Sequence, residues 1–138
     1  MSAQTLAFDL VCPEELVISK EVEMVVIPGA EGDMGILPRH APLITTLRPG
    51  LIDIYQGGEI QKRIFVSSGF ANVNEKGCTV LAQEYVFLKD LNLDDLNEQI
   101  QNARDELKIV RTEDERNNLI KDLELATIKR DLYKRLLR

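Results

Sequence analysis

Glycine and proline divide this chain into two parts that need different backbone structures. From Asp90 to Arg138 neither residue occurs, and apolar positions recur about every 3.6 residues, which predicts helices. Before Lys89, short apolar runs with a period of two alternate with turn-forming residues, which predicts about ten short strands. The expected fold class is therefore a β-sandwich over residues 1–88, followed by an α-helical hairpin over residues 90–138.

The helical part is expected to form two helices joined by a short turn. Asn92 is the expected N-cap of the first helix, and Thr112 with Glu115 forms a capping box that starts the second. The second helix carries two apolar stripes about 125° apart, and one neighbouring helix covers only one of them. The stripes are Leu119, Leu123, Ala126, Tyr133 and Leu137, and Leu125, Ile128, Leu132 and Leu136. Such a hairpin is marginally stable alone, so it can change its docking site.

The stretch from Pro28 to Gly50 holds half of the glycines, most of the prolines and the single histidine, His40. This density predicts a loop with fixed turns rather than a strand or a helix. Apolar runs flank the stretch on both sides, so the loop is expected to sit on the ends of strands. That is the usual position of a contact site.

Composition excludes several classes of partner and site. The net charge of −6 argues against nucleic acid or an anionic membrane as a direct partner, because both are polyanions. Cys12 and Cys78 are far apart in sequence, so neither a zinc site nor a disulfide scaffold is indicated, and a reducing compartment is expected. No apolar run of about 18 residues occurs, and the N-terminus lacks the pattern of a signal peptide. A membrane role would therefore have to come through a partner.

A catalytic or cofactor site is not expected. His40 with Asp33 and Ser67 or Ser68 would supply the groups of a hydrolytic triad, but no nucleophile elbow is present. Metal binding by His40 with Glu31 and Asp33 lacks a second His or Cys at ligand spacing. The glycine-rich run has no Gly-Lys-Ser/Thr, and its acids would repel phosphate. The chain is expected to be non-catalytic and to need no cofactor.

Three segments resemble the signature of the epsilon subunit of F-type ATP synthase, which is called delta in mitochondria. They are Gly29 to Pro38 (GAEGDMGILP), His40-Ala41-Pro42-Leu43 and Arg48-Pro49-Gly50. Weaker similarity follows at Val66 to Val73 and Thr79 to Ala82. Arg39 and Ser68 stand where the family usually has glycine, and either would be strained if its φ were positive.

The resemblance implies a non-catalytic rotor subunit of the central stalk, which couples proton translocation through the c-ring to ATP synthesis. The sandwich would then contact the gamma subunit and the c-ring, with Glu31, Asp33, Arg39 and His40 as the candidate ring contacts. The hairpin would contact the catalytic beta and alpha subunits and inhibit ATP hydrolysis, with a basic end formed by Lys129, Arg130, Lys134 and Arg135. Compensation of the helix dipole is the alternative role of that basic end.

The resemblance also bears on nucleotide binding. Some bacterial members of the family bind ATP through Ile/Leu-Asp-x-x-Arg-Ala at the start of the first helix. Here Leu93 and Asp94 match, but Asn97 and Glu98 replace the arginine and the alanine. An anion in place of a cation disfavours a triphosphate, so weak or absent ATP binding is expected.

Two other classes of function stay open from the sequence. The chain could be a binding or scaffold module whose hairpin recruits an unrelated partner, or an enzyme that uses His40. The resemblance implies a peripheral position on the cytoplasmic face of a bacterial plasma membrane, with the matrix side of an organellar inner membrane as the alternative. The coupling ion would be a property of the ring.

Overall fold

The computed structural model describes residues 4–137. The chain divides into two compact units between Phe87 and Leu88. The first unit contains ten strands and the second contains two α-helices, which confirms the predicted fold class. The strands are β1 Leu6–Cys12, β2 Glu15–Val22, β3 Met24–Gly29, β4 Gly32–Ile36, β5 Leu43–Leu47, β6 Gly50–Gln56, β7 Glu59–Val66, β8 Gly69–Val73, β9 Gly77–Ala82 and β10 Tyr85–Phe87. After a 3₁₀ turn at Leu88–Asp90, the helices are α1 Leu93–Leu107 and α2 Glu113–Leu136.

The strands form one folded sheet in the order β10-β7-β6-β3-β5-β8-β9-β1-β2, with β4 paired to β3. The pairing of β1 with β9 is parallel and brings Phe8 opposite Cys78. The edge strands β10 and β2 are joined by a hydrogen bond from the Tyr85 hydroxyl to Glu15 Oε1, at 2.8 Å. The Lys20 ammonium on β2 also donates to Gln61 Oε1 on β7, at 3.0 Å. Side chains thus link the two ends of the sheet, where backbone pairing is absent.

The sandwich core is mainly aliphatic, includes Phe8, and follows the alternation of the strands. On β1, Leu6, Phe8 and Leu10 are buried, and residues such as Ile52 and Val80 complete the core from other strands. Each fully buried side chain of this size contributes about 1.5–3 kcal/mol. Both cysteines are buried, unpaired thiols in this unit. Burial raises the pKa of Cys78 to about 12, so its thiol stays protonated at neutral pH.

One predicted strand boundary is wrong. The sequence pattern predicts separate strands at 16–18 and 21–27, whereas β2 runs without a break to Val22 and β3 begins at Met24. Ser19 and Lys20 pair with Asp9 and Phe8 of β1, so the ladder continues through both polar residues. Pairing with β1 supplies the backbone hydrogen bonds of this segment, so the strand continues without a turn.

The prediction of a loop from Pro28 to Gly50 is also wrong for the first part of that stretch. The end of β3 and all of β4 lie inside it, whereas β5 confirms the strand that the pattern at Leu43 to Leu47 predicts. Strand β4 pairs only with β3, and its glycines Gly32 and Gly35 are exposed. An edge position needs no second partner and no packed side chain there, so glycine is tolerated. The predicted loop is confirmed at residues 37–42, between β4 and β5.

In the second unit, both predicted caps are confirmed. The Asn92 side chain accepts a hydrogen bond from Asp95 N at 3.1 Å, and Thr112 Oγ1 accepts one from Glu115 N at 3.2 Å. Helices α1 and α2 pack against each other, and α1 buries Leu96, Ile100 and Ala103. Helix α2 buries Ala126 and Leu132, one from each predicted stripe. Within residues 4–137, no helix is long and apolar enough to cross a membrane.

Candidate functional site

The turn between β3 and β4 presents an exposed acidic side chain. Gly29 pairs with Gly32, so Ala30 and Glu31 form a two-residue hairpin turn. Gly32 has a φ of +148°, which glycine adopts without a side-chain clash. Glu31 is exposed at this turn, and Asp33 follows as the second residue of β4.

Asp33 is paired within the chain. Arg48 Nη2 lies 2.6 Å from Asp33 Oδ1, and Arg48 Nη1 donates to the Gly29 carbonyl at 2.5 Å. The side chains of Arg48 and Asp33 are 42% and 62% exposed, so water reaches the pair. The sequence interpretation missed this role of Arg48, because the pairing depends on strand register rather than on spacing along the chain.

Arg39 and His40 lie at the other end of β4 from Glu31 and Asp33. Ile36, the last residue of β4, pairs with Val25 near the start of β3. Five strand residues span roughly 16 Å at about 3.3 Å per residue. The structure therefore does not bring the four predicted ring-contact residues into one cluster, and it separates them into two pairs.

The loop at residues 37–42 is held by local polar contacts. Arg39 Nη2 donates to Gln4 Oε1 at 3.0 Å, and His40 Nδ1–H donates to the Ala41 carbonyl at 2.7 Å. Arg39 has a φ of +62°, a left-handed conformation that strains residues other than glycine. Ser68 keeps a negative φ, and the positive value of +150° falls on the next residue, Gly69. The replacement of glycine is therefore strained at Arg39 only.

Replacing Arg39 with glycine is expected to raise the free energy of unfolding by about 0.5–1 kcal/mol. Glycine relieves the left-handed strain, although it adds entropy to the unfolded chain and loses the bond to Gln4. Chemical denaturation measures the change. Arg39→Ala is the matched control, because it loses the same bond and keeps the strain. A glycine variant no more stable than the alanine variant would contradict the prediction.

Three turns at one end of the sandwich each carry an exposed glutamate. The pairs Gly29–Leu47, Leu47–Gly69 and Gly69–Ala82 align the ends of neighbouring strands. The turns after β1, β3 and β9 therefore lie along the same end of the sheet. We call this end the acidic end; its carboxylates include Glu14, Glu31, Asp33 and Glu84. Among the described residues of these turns and strand ends, Arg48 is the one positively charged side chain.

Two other ionisable groups of the sandwich are perturbed by their surroundings. Hydrogen bonding to Glu15, followed by burial and the charge of Glu15, raises the pKa of Tyr85 and keeps its hydroxyl a donor. Burial raises the pKa of the Asp53 carboxyl, Arg63 opposes the shift, and Asp33 adds to it. Asp53 Oδ1 and Arg63 Nε are 3.5 Å apart. The Asp53–Arg63 pair links the neighbouring strands β6 and β7.

An apolar row crosses the outer face of the sandwich, and the sequence interpretation missed it. Phe70 pairs with Leu81, Leu81 with Val11, and Val11 with Leu16, so these side chains are neighbours on four adjacent strands. Ile44 lies next to this set on β5 and is 72% exposed, and Phe70 is 45% exposed. We call these five residues the outer apolar row. Contiguous apolar surface of this kind marks an interaction site.

The basic residues predicted to contact catalytic subunits lie in the last third of α2. Lys134 and Arg135 are exposed in its last turn, and Arg130 Nε lies 3.5 Å from Asp131 Oδ1. At about 100° per residue, Arg130 and Lys134 share one face, and Lys129 and Arg135 lie on either side of it. The basic end therefore surrounds much of the helix rather than forming a single stripe.

The described residues contain no group of three or more His, Cys, Asp or Glu side chains arranged to hold a metal ion. His40 bonds to the backbone of its own loop, and Asp33 bonds to Arg48. Neither residue is bonded to Ser67 or Ser68 in the part of the chain that the structure describes.

Comparison with known proteins identifies the family. A sequence profile described as "ATP synthase, Delta/Epsilon chain, beta-sandwich domain" matches residues 5–87. The ATP synthase epsilon chain of Rhodospirillum rubrum is 51% identical over 114 residues, covering 83% of this chain and 85% of that protein. The ATP synthase epsilon chain of Parvibaculum lavamentivorans is 46% identical over 122 residues, covering 88% and 92%.

Structural comparison agrees with the sequence relatives. A chain in the cryo-EM structure of Euglena gracilis mitochondrial ATP synthase, containing OSCP, F1 and the c-ring, superposes with a TM-score of 0.75 at 25% identity. The superposition covers 91% of this chain and 79% of that one. The resemblance found in the glycine-rich segments is thereby confirmed. With a profile match across the sandwich and relatives at this identity, the chain belongs to the ATP synthase delta/epsilon family, among the epsilon chains.

Proposed function

We propose that this chain is a non-catalytic rotor subunit that couples proton flow through the c-ring to ATP synthesis. The observation that carries the proposal is that one sandwich has two different exposed surfaces, one apolar and one acidic. The outer apolar row lies on a sheet face, and the acidic end lies at the tips of the strands. A stiff body with two wide interfaces can transmit torque from one partner to another.

The outer apolar row is the proposed contact for the gamma subunit. Leu16 is 61% exposed and Leu81 is 38% exposed, so the row offers side chains that a partner can remove from water. Leu37, on the 37–42 loop before β5, is 55% exposed. Stable interfaces have an apolar centre with a polar rim, and the exposed Thr46 and Asn72 beside the row supply such a rim.

The acidic end is the proposed contact for the c-ring. Glu31 is exposed at the turn between β3 and β4, and Glu14 and Glu84 are exposed on the turns after β1 and β9 at the same end of the sheet. This surface fits a ring loop that carries cationic side chains, because opposite charges orient an encounter and fix its register. Arg39 and His40 lie beyond the far end of β4, so a ring contact by them would belong to a second surface.

The helical hairpin is the proposed regulatory part. Its basic end fits an acidic segment of the catalytic beta or alpha subunits, and contact there would block rotation in the hydrolysis direction. The two apolar stripes of α2 support a hairpin that can exchange one packing arrangement for another. Asn97 and Glu98 are exposed on α1 and supply no positive charge for a triphosphate, so we propose that the chain binds ATP weakly or not at all.

Removing the hairpin is expected to raise ATP hydrolysis several-fold. The test compares the cognate catalytic core reconstituted with the full chain and with a chain that ends at Phe87, the last residue of the first unit. Because a docked inhibitory element holds the rotor in one position, its loss releases turnover. The rate of ATP hydrolysis at saturating ATP is the measurement.

A charge series separates the basic end from the rest of the hairpin. Changing Lys129, Arg130, Lys134 and Arg135 to Gln is expected to reproduce most of the truncation effect. Arg116→Gln with Lys121→Gln is the matched control, because both residues are exposed nearer the start of the same helix. Equal rates for the full and truncated chains would assign the basic end to dipole compensation alone. Failure to co-purify with gamma and the ring would favour a binding module of another kind.

A further inference from the structure

We propose that Arg48 is a positioning residue for the turn between β3 and β4. Its guanidinium holds both arms of the turn and pairs Asp33 inside the chain. Glu31 is then the carboxylate that this turn offers to the ring. The inference deepens the ring contact proposed above and rests on it, but the role of Arg48 in ordering the turn can be tested separately.

Backbone hydrogen bonds place Arg48 beside the turn. Arg48 N donates to the Pro28 carbonyl at 3.0 Å, and Ala30 N donates to the Thr46 carbonyl at 2.9 Å. Gly29 pairs with Leu47, so the end of β5 runs along the first arm of the turn. Pairing at the ends of two strands alone leaves the tip of a hairpin mobile. A side chain that spans both arms adds the missing restraint.

The Arg48 side chain has the geometry to span both arms. One terminal nitrogen donates to the Gly29 carbonyl on β3, and the other donates to the Asp33 carboxylate on β4. A planar guanidinium holds two such bonds in a fixed relation, whereas an ammonium group on a flexible chain does not. The conservative substitution Arg48→Lys would therefore keep the charge and lose this fixed geometry.

Asp33 and Glu31 differ in the charge that they present to a partner. The carboxylate of Asp33 lies against Arg48, so the pair presents no net charge to a partner. Glu31 is exposed and has no ion pair with any residue between 4 and 137. Because the Arg48–Asp33 pair is largely exposed, it contributes little to global stability. Its effect is expected to be local order at the turn.

Hydrogen exchange tests the positioning role in the full chain. In Arg48→Gln, exchange of the Ala30 amide is expected to accelerate about tenfold, while core amides such as those of Ala71 and Val80 keep their rates. Arg48→Lys is expected to give an intermediate acceleration. Arg39→Gln, a change of an arginine at the far end of β4, is the matched control and should leave Ala30 unchanged. Unchanged exchange of Ala30 in Arg48→Gln would overturn the proposal.

Affinity for a gamma–ring complex, measured at low and high salt, tests the assignment of the contact. Glu31→Gln is expected to lower the affinity about five- to tenfold and to flatten its salt dependence. The effects of Asp33→Asn and Arg48→Gln on affinity are expected to be coupled, because each substitution breaks the same ion pair. The double variant should therefore bind with an affinity within about twofold of that of Arg48→Gln alone. Additive losses would show that Asp33 faces the partner itself, which would overturn the proposal.

One result separates the positioning role from the ring contact. If Glu31→Gln binds as tightly as the unmodified chain, the ring contact of this turn fails. In that case, accelerated exchange of the Ala30 amide in Arg48→Gln would still establish that Arg48 positions the turn. Amide exchange thus tests the positioning role of Arg48, and affinity tests the ring contact of Glu31, so that either proposal can fail without the other.

Discussion

Changing Ile44 and Phe70 together to aspartate is expected to weaken binding to the gamma subunit by about 100-fold or more. Each new carboxylate would be buried without a partner at an apolar interface, at a cost of roughly 2 kcal/mol or more. Every 1.4 kcal/mol corresponds to about a tenfold change in affinity. Titration calorimetry against gamma, or co-purification after co-expression, measures the loss.

The same substitutions should leave the fold intact. Ile44 is 72% exposed and Phe70 is 45% exposed, so their removal empties little of the core. Ile109→Asp is the matched control, because Ile109 is 76% exposed but belongs to the turn between the two helices and not to the outer apolar row. It is expected to bind gamma normally. If the double variant binds as tightly as this control, the outer apolar row is not the gamma contact.

Gly69→Ala is expected to have the largest effect on stability, a loss of about 4 kcal/mol or more. A Cβ at this position would lie 1.8 Å from the Leu81 carbonyl oxygen, and the φ of Gly69 is +150°. The backbone of β9 must move to accept the methyl group, which breaks the ladder between β8 and β9. For a unit of this size the loss corresponds to a fall in Tm of roughly 15 °C or more.

Comparing Gly32→Ala with Gly69→Ala separates the free-energy cost of the steric clash from the cost of the backbone conformation. Gly32 has a similar φ of +148°, but no atom lies within 4 Å of a Cβ built there. Its substitution should cost about 1–2 kcal/mol, the strain of the backbone conformation alone. Thermal unfolding of both variants gives the difference directly. Equal losses would mean that β9 yields to the methyl group without losing its pairing.

Most of the fold could be predicted because its determinants are local. Alternation on β1 and the 3.6-residue period on α1 act over a few residues, and the caps at Asn92 and Thr112 act over three. Strand β4 escaped prediction because its glycines give no alternation. The continuity of β2 through Lys20 also escaped prediction, since it depends on backbone pairing with β1, which the residues of β2 alone do not specify.

The candidate contact residues could be predicted only in part. Glu31 follows from the glycine-rich segment that contains it, and the structure exposes it at a turn. The partnership of Arg48 with Asp33 needs the register of β3 and β5, which neither segment specifies alone. The outer apolar row likewise exists only after β8, β9, β1 and β2 are aligned. Until then Phe70 and Leu16 are scattered apolar residues with no common surface.

The parallel pairing of β1 with β9 has a consequence for biosynthesis. Strand β1 is made well before β9, and it stays without this neighbour until Gly77–Ala82 has been synthesised. A chain terminated earlier leaves a sheet edge unpaired, which favours aggregation. The outer apolar row is likewise incomplete in such a fragment, because Leu81 belongs to the last segment that aligns it. We therefore expect prematurely terminated chains to lack the surface that we propose for the gamma subunit.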